Sequence, residues 1–421
     1  MLIGRHEVHA CQPLAKCRVT SPAPAAPPLP PGTHATILLL AMAGFFSGAA
    51  LRICDALLPR VAQDFDRTAG AAGLVIISFS VAYGLMQLLF GPLADRYGKA
   101  RMICIALFGC VVGALASALA PAFPALVATR VLWGMAAAGI IPLSMAWVGD
   151  AVPYEQRQAT LARLLTGTLA GMMAGQLAGG LFADSAAGWR GAFFMMSGGY
   201  LLVAVLLLVR LRSMAGAAAE AGKARPTFIA QLLSVLRTPW ARVVIAQVAM
   251  EGMFLLGPLA YLPAYLHQRF GLSLSAASAL IALYAVGGLV YAMSARHIIR
   301  RFGERRMVFV GGLVMGAGYL AWWGAPVGWL AGPIALVVGF GTYLYHNTLQ
   351  THATQMVPAT RGTAMACFAF CLFTGQAIGV SLAGYAFDHV GPAPLLLVPA
   401  LVLPLTGWVF ARALHRRALA A

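Results

Sequence analysis

Long hydrophobic stretches recur along this chain and are separated by short polar segments. An α-helix needs about 20 apolar residues to cross the roughly 30 Å hydrocarbon layer of a bilayer. Twelve stretches meet this requirement, at roughly 36–58, 71–93, 102–120, 124–149, 160–183, 191–209, 243–265, 275–298, 307–325, 329–352, 363–386 and 393–411. The pattern therefore predicts an all-α membrane protein with twelve transmembrane helices, which we call spans 1 to 12.

The longest polar interval lies between spans 6 and 7 and divides the spans into two sets of six. Five segments are predicted from this division. They are a disordered, proline-rich cytoplasmic tail (1–35), a six-helix half (36–210), a cytoplasmic loop (211–241), a second six-helix half (242–413) and a cytoplasmic C-terminal tail (414–421). The first segment lacks the apolar core of a signal peptide.

The distribution of basic residues predicts the orientation, because lysine and arginine are enriched in cytoplasmic loops. With the N-terminus in the cytoplasm, 23 of the 29 basic residues fall in cytoplasmic segments and four in outer loops. The remaining two, Arg52 and Arg130, lie within spans. We therefore expect a multi-pass protein of the bacterial inner (plasma) membrane with both termini in the cytoplasm.

Composition supports a membrane protein and excludes other classes. The chain is 61% hydrophobic and 10% charged, with a mean hydropathy of +0.82, which is typical of a chain embedded in lipid. A net charge of +17 could suit nucleic acid, but the basic residues form short clusters between apolar runs. We predict a monomer in the lipid bilayer with no nucleic-acid partner.

The chain carries no motif that indicates an enzyme. It has no phosphate-binding Gly-Lys-Ser/Thr loop, which disfavours ATP-driven transport. Its seven cysteines form no metal-ligand spacing with histidines, and no nucleophile elbow is present. We expect no enzymatic activity, no cofactor and no metal.

The two halves share sequence features at equivalent positions. The segment 95–102 (DRYGKARM) follows span 2, and the similar segment 300–307 (RRFGERRM) follows span 8. Gly175-Gln176 in span 5 likewise matches Gly375-Gln376 in span 11. Such a parallel repeat places the substrate site between the halves, near the membrane midplane.

Two of the twelve acidic residues lie inside predicted spans, Asp55 in span 1 and Glu251 in span 7. A charge at the bilayer centre costs about 2.5–3.5 kcal/mol, so such residues normally face a cavity or a partner. Glu251 lies about 14 Å deep and has no basic residue within one helical turn. Burial favours the protonated form of a carboxyl group, which makes Glu251 a candidate proton carrier. The alternative is a permanently neutral acid bonded to a backbone carbonyl.

Two arginines accompany these acids. Arg52 precedes Asp55 by three residues, so the two can neutralise each other on one helix. Alternatively, Asp55 is a protonatable carboxyl group near Arg130 of span 4. The proton-coupling candidates are thus Glu251, Asp55, Arg130 and Arg52, and the candidates for lining a cavity are His346, Asn347, Gln350 and Tyr261.

The segment 91–101 (GPLADRYGKAR) resembles the loop signature between spans 2 and 3 of the major facilitator superfamily, and the resemblance extends over 36–413. It implies an inner gate in which Asp95 is a conformational switch and the arginines pair with acids such as Asp150 or Glu155. The gate residues are Gly91, Asp95, Arg96, Gly98 and Arg101. The alternative is a positively charged loop with no gating role.

Spans 4 and 5 extend the resemblance. The arginine-centred start of span 4, at Arg130, is similar to a motif of proton-coupled members. Span 5 is similar to the antiporter signature of spaced glycines, with Gln176 where that signature has proline. These glycines allow close helix packing, and they are Gly171, Gly175, Gly179 and Gly180. In this family spans 1, 4, 7 and 10 line the cavity, and these spans hold the charged candidates.

The sequence thus favours a secondary transporter that resembles twelve-span drug:proton antiporters. It would export small organic molecules in exchange for protons by alternating access. One alternative is a symporter or uniporter for an organic anion, which Arg52 and Arg130 would attract. An alternative of a different class is a non-transporting receptor or scaffold with the same fold.

Overall fold

The computed structural model describes residues 32–213 and 228–420, and the described chain is helical. Most of the predicted N-terminal tail (1–31) and the middle of the predicted inter-half loop (214–227) lie outside the described residues. The helices of the first half are α1 (Thr33–Arg52), α2 (Leu58–Asp64), α3 (Ala69–Ala72), α4 (Leu74–Tyr97), α5 (Lys99–Ala118), α6 (Phe123–Ala137), α7 (Ile140–Ala151), α8 (Tyr154–Ala183) and α9 (Gly188–Ser213).

The second half begins with a short helix inside the predicted loop. Its helices are α10 (Phe228–Arg237), α11 (Pro239–Glu251), α12 (Gly257–Leu259), α13 (Leu262–Phe270), α14 (Leu274–Gly324), α15 (Ala331–Gln355), α16 (Arg361–His389) and α17 (Pro392–Ala420). A π-helical segment, Gly252–Leu256, joins α11 to α12. Helix α17 continues through the segment that the sequence predicts to be a C-terminal tail.

Ten helical stretches of the described chain are long and apolar enough to cross a membrane. The prediction of an all-α, multi-pass membrane protein is confirmed. Three predicted spans look different in the structure. Helix α14 covers spans 8 and 9 in one run of 51 residues, and its backbone leaves helical geometry at Gly303 (φ 69°, ψ 161°). Helix α8 is not among the ten, because its glycines and Gln176 lower its hydropathy.

Two helices that carry buried charges, α1 and α11, end beside those charges. Helix α1 ends at Arg52, and Asp55 lies in the turn that follows. Helix α11 ends at Glu251, where the π-helical segment begins. Pro258 has no N–H to donate one turn back, which favours an irregular helix at this point. Such π-helical interruptions often occur at functional sites.

Glycines bring α8 against the backbone of α1. A Cβ atom built on Gly171, Gly175 or Gly179 would lie 1.9, 2.3 or 2.2 Å from a backbone carbonyl oxygen of α1 and the turn after it. The second half repeats the arrangement, since a Cβ atom on Gly375 or Gly379 would lie 2.1 Å from a carbonyl oxygen of α11 or the π-helical segment. Closely packed glycines are therefore a feature of both halves.

Gly180 differs from the other glycines of this motif, because it faces the opposite half. Its built Cβ atom would lie 2.6 Å from the side chain of Ser278 in α14. Helices α8 and α14 pack together over much of their length, and so do α4 and α16. These two pairs join the halves. We refer to the end of the bundle with Gly98 and Gly303 as the Gly98 end.

Candidate functional site

Among the described residues, four charged side chains are buried within the helix bundle. Arg52, Asp55, Arg130 and Glu251 are at most 5% exposed. Arg52 and Asp55 lie in span 1, Arg130 in α6 and Glu251 at the end of α11. Because isolated charges are costly at this depth, the partners of each side chain indicate what it can do.

Glu251 is paired with His346 of α15. Nδ1 of His346 lies 3.0 Å from each carboxylate oxygen of Glu251. Glu251 is 2% exposed, and the histidine side chain is 20% exposed. No basic residue lies within one turn of Glu251 on its own helix, but the packing of the helices supplies a histidine. The partner comes from a helix 95 residues further along the chain.

Arg52 and Asp55 form the second buried pair. Nη1 of Arg52 donates to Oδ2 of Asp55 at 3.1 Å, as the spacing of three residues allows. The other carboxylate oxygen of Asp55 has no hydrogen-bond partner among the described residues. The guanidinium carbon of Arg52 lies 5.8 Å from the ring centre of Tyr284 in the opposite half. This pair thus lies where the two halves face each other.

Arg130 is enclosed by aromatic rings. Its guanidinium carbon lies 4.2 Å from the ring centre of Phe79 and 4.7 Å from that of Trp133. Its Nε donates to the carbonyl of Val75 at 3.2 Å. Aromatic faces attract a cation, so these rings stabilise the guanidinium of Arg130 inside the first half. Arg130 is not among the residues that line the narrow cavity between the halves.

A narrow cavity lies between the halves beside the Arg52–Asp55 pair. Its volume is about 20 Å³, which is enough for roughly one water molecule. It is lined by Arg52, Met172, Met173, Gln176, Leu259, Ile281, Ala282, Tyr284 and Ala285. Among these lining residues Arg52 is the charged one. The residues between the glycines of the α8 motif thus supply part of the cavity wall.

The four residues predicted to line a cavity are not among the residues that line this one. His346 pairs with Glu251, and Nδ2 of Asn347 donates to the hydroxyl of Tyr291 at 3.0 Å. Gln350 is half-buried on α15. Tyr261 is fully buried where the halves meet, and its hydroxyl donates to the carbonyl of Gly70 at 3.4 Å. Tyr261 lies ten residues after Glu251 along the chain, beyond the π-helical segment.

The predicted gate residues lie at the Gly98 end. Asp95, Arg96 and Arg101 are exposed, and Gly98 has a φ of 87°, which favours glycine at this turn. Lys99, not either arginine, pairs with Asp150. Lys99 begins α5, and Asp150 lies in the last turn of the neighbouring α7, whereas Arg101 is on an exposed face. The side chain of Glu155 lies outside what the structure describes.

At the end of the bundle opposite Gly98, two acids at equivalent positions of the repeat bridge the halves. Neither acid is singled out by the sequence. Asp184, at the end of α8, accepts from the backbone N–H of Ser275 at 2.7 Å and of Leu274 at 3.3 Å, at the start of α14. Asp388, near the end of α16, accepts from the N–H of Gly70 in α3 at 2.9 Å. We call these contacts the carboxylate bridges. Their equivalent places in the repeat were a signal that could have revealed them.

Each bridge sets a carboxylate against the positive N-terminal end of a helix. Burial raises the pKa of Asp184, but hydrogen bonds from Ser275 and Leu274 outweigh it and hold the pKa below the usual range for aspartate. The carboxylate is consequently the bridging form. The Asp184 bridge is fully formed when the pH is above the usual pKa of an aspartate. It is lost as the pH falls through the lowered pKa of Asp184.

The fold and its buried charges define a polytopic helical transporter with a central cavity. The family model of the Major Facilitator Superfamily matches residues 40–380. The chain therefore belongs to the Major Facilitator Superfamily, and it is a transporter, not an enzyme.

Curated relatives agree with this membership. The chain is 29% identical to a probable transporter of Streptomyces coelicolor, over 92% of each chain. It is 22% identical to the uncharacterized transporter YceJ of Bacillus subtilis, over 86% of this chain and 92% of YceJ. It is 31% identical to the multidrug export protein EmrB of Haemophilus influenzae over 32% of this chain and 27% of EmrB.

Solved structures share the fold. A transporter of the POT family in complex with 5-aminolevulinic acid has a TM-score of 0.74 at 13% identity, covering 90% of this chain and 95% of that one. A D-xylose–proton symporter has a TM-score of 0.69 at 16% identity, covering 90% and 96%. At these identities the likeness extends to the fold alone.

Proposed function

We propose that this protein exports small organic molecules across the inner membrane in exchange for protons. The observation that carries the proposal is the buried Glu251–His346 pair, in which Nδ1 lies 3.0 Å from both carboxylate oxygens. The pair can hold zero, one or two protons, with net charges of −1, 0 and +1. Each proton taken up thus changes the charge inside the bundle by one unit, and such groups in transporters form proton relays.

The central cavity and the carboxylate bridges support alternating access. A cavity of about 20 Å³ cannot hold an organic solute, so transport requires the halves to separate. The bridges of Asp184 and Asp388 join the halves at one end, and they must break for that end to open. In this proposal the protein rocks between a state with the bridges formed and a state with the Gly98 end closed.

Purified protein in liposomes tests the proposal. Candidate compounds are first selected by their ability to raise the melting temperature of the protein. Their flux is then measured with and without a pH gradient, together with internal pH reported by a trapped dye. Coupled exchange predicts that an imposed proton gradient drives solute accumulation and that solute movement carries protons in the opposite direction. Flux that ignores the gradient and carries no protons contradicts it.

A second candidate function is transport of an organic anion by symport or uniport. Arg52 favours it, since this is the charged residue among those that line the central cavity. Flux of matched anionic and neutral analogues separates the two functions. Selective transport of the anion, lost in Arg52→Gln, would favour the anion transporter.

We propose that twelve spans cross the membrane. Helix α14 forms two spans that meet at Gly303, and α8 forms a further span although its hydropathy is low. Both termini and the loop at 211–241 then lie in the cytoplasm. We expect a cysteine introduced at a position within 215–224 to react with an impermeant reagent in inverted vesicles but not in intact cells. Labelling of intact cells above the level of the parent chain would reverse the orientation.

Asp95→Asn tests the proposed gate. We expect normal expression and a several-fold lower transport rate, because the substitution removes a charge at the Gly98 end without removing side-chain volume. Asp66→Asn is a matched control, since Asp66 lies in an exposed loop with a φ of 51° that asparagine tolerates. Equal transport rates in the two variants would show that the motif is a charged loop with no gating role.

A further inference from the structure

A groove at the Gly98 end of the second half is unexplained by transport through the centre of the bundle. It has a volume of about 540 Å³ and is lined by Arg305, Arg306, Phe309, Trp408, Ala411 and Arg412. These residues belong to α14 after Gly303 and to α17, which pack against each other. Five of the six are exposed on the outer surface of the helix bundle, and Ala411 is buried at its base.

The groove has a charged rim and an apolar wall. Phe309 follows Arg305 by four residues, and Trp408 precedes Arg412 by four, so on each helix an aromatic ring lies about 6 Å deeper than an arginine. Arginines at helix ends reach the headgroup layer, and tryptophan prefers the interface between headgroups and acyl chains. The groove therefore matches a molecule with an anionic head and an apolar body.

Contacts with neighbouring side chains hold two of the three arginines in position. The guanidinium carbon of Arg412 lies 3.7 Å from the ring centre of Trp408, within the range of a cation–π contact. Nη1 of Arg305 lies 3.3 Å from Nδ1 of His415. Glu304 is the acid next to the groove in sequence, and it pairs with His352, 3.1 Å away. No acidic residue is among the residues that line the groove.

We propose that this groove binds the phosphate headgroup of an anionic phospholipid. The three arginines contact the phosphate, while Phe309 and Trp408 contact the glycerol region and the start of the acyl chains. Ala411, with its small side chain, leaves the space between the two helices open. Basic pockets between transmembrane helices at the cytoplasmic face are typical sites for anionic headgroups. In the topology proposed above, the lipid belongs to the cytoplasmic leaflet.

Lipid binding to the purified full-length protein in detergent tests the proposal. Phosphatidylglycerol, phosphatidylcholine and inorganic phosphate are each titrated, and bound lipid is counted by native mass spectrometry. We expect selective binding of phosphatidylglycerol. The triple variant Arg305→Gln, Arg306→Gln, Arg412→Gln should weaken it about a hundredfold, because each basic residue near an anionic lipid contributes roughly a fivefold factor.

The control removes the same charge from the same end of the bundle. Arg300→Gln, Arg301→Gln, Arg416→Gln replaces three exposed arginines that do not line the groove, and it should retain the affinity of the parent. If both triple variants bind phosphatidylglycerol equally weakly, the loss of affinity reflects net charge alone, and the proposed site is wrong. Equal affinity for phosphatidylcholine would overturn headgroup recognition. Competition by millimolar inorganic phosphate would indicate a free-anion site instead of a lipid site.

Discussion

Glu251→Gln is expected to abolish proton-driven transport while leaving substrate binding intact. Glutamine preserves the size of the side chain and can still bond to Nδ1 of His346, but it cannot ionise. The pair then loses its negatively charged state, and its remaining titration belongs to the histidine alone. Accumulation against a gradient should fall to the level of empty liposomes, whereas exchange of labelled for unlabelled substrate continues.

A second Glu–His pair of the second half, Glu304 and His352, provides the control. Nε2 of His352 lies 3.1 Å from Oε2 of Glu304, and that carboxylate side chain is 50% exposed. Glu304→Gln therefore removes the same chemical group from a solvated pair outside the bundle interior, and it should transport at the parent rate. Loss of accumulation in both variants would point to a general effect of charge on the second half.

Asp55→Asn separates the two buried carboxylates. If Asp55→Asn loses accumulation while Glu251→Gln keeps it, the coupling proton is carried beside Arg52 and the Glu251–His346 pair is structural. If both variants lose accumulation, the two acids act in one relay. Measuring both in the same preparation distinguishes these outcomes.

The sequence predicts the helical fold well because each span is a local signal: an apolar run of sufficient length, read without knowledge of its neighbours. It also singled out Glu251 by depth. It could not supply the partner, because His346 is brought to Glu251 by the packing of α15 against α11 and not by spacing along one helix.

Two further residues show the same limit. Arg130 has the charge expected of a coupling residue. Trp133 follows it by three residues on α6, but the ring of Phe79 reaches it only through the packing of α4 against α6. Tyr261 was a cavity candidate by residue type and span alone, whereas packing buries it where the halves meet and its hydroxyl donates to the carbonyl of Gly70. Which neighbour a side chain meets is set by the packing of distant helices, and a single span does not show it.

Replacing Gly175 is expected to lower the stability of the protein substantially. A Cβ atom there would lie 2.3 Å from the carbonyl oxygen of Ala49, so Gly175→Ala forces α8 away from α1. Backbone atoms cannot rotate aside as a side chain can, and overpacking costs about 1–3 kcal/mol or more. We expect a melting temperature several degrees below that of the parent.

The matched control is Gly198→Ala on the exposed face of α9, where no atom lies within 4 Å of the built Cβ atom. Alanine is the better helix former by about 1 kcal/mol in water, so this variant should be at least as stable as the parent. The opposite signs of the two changes follow from packing alone, since the chemical substitution is the same. A parent-like melting temperature for Gly175→Ala, measured in the same detergent, would show that α1 and α8 can separate freely. Close glycine packing would then not be what holds the first half together.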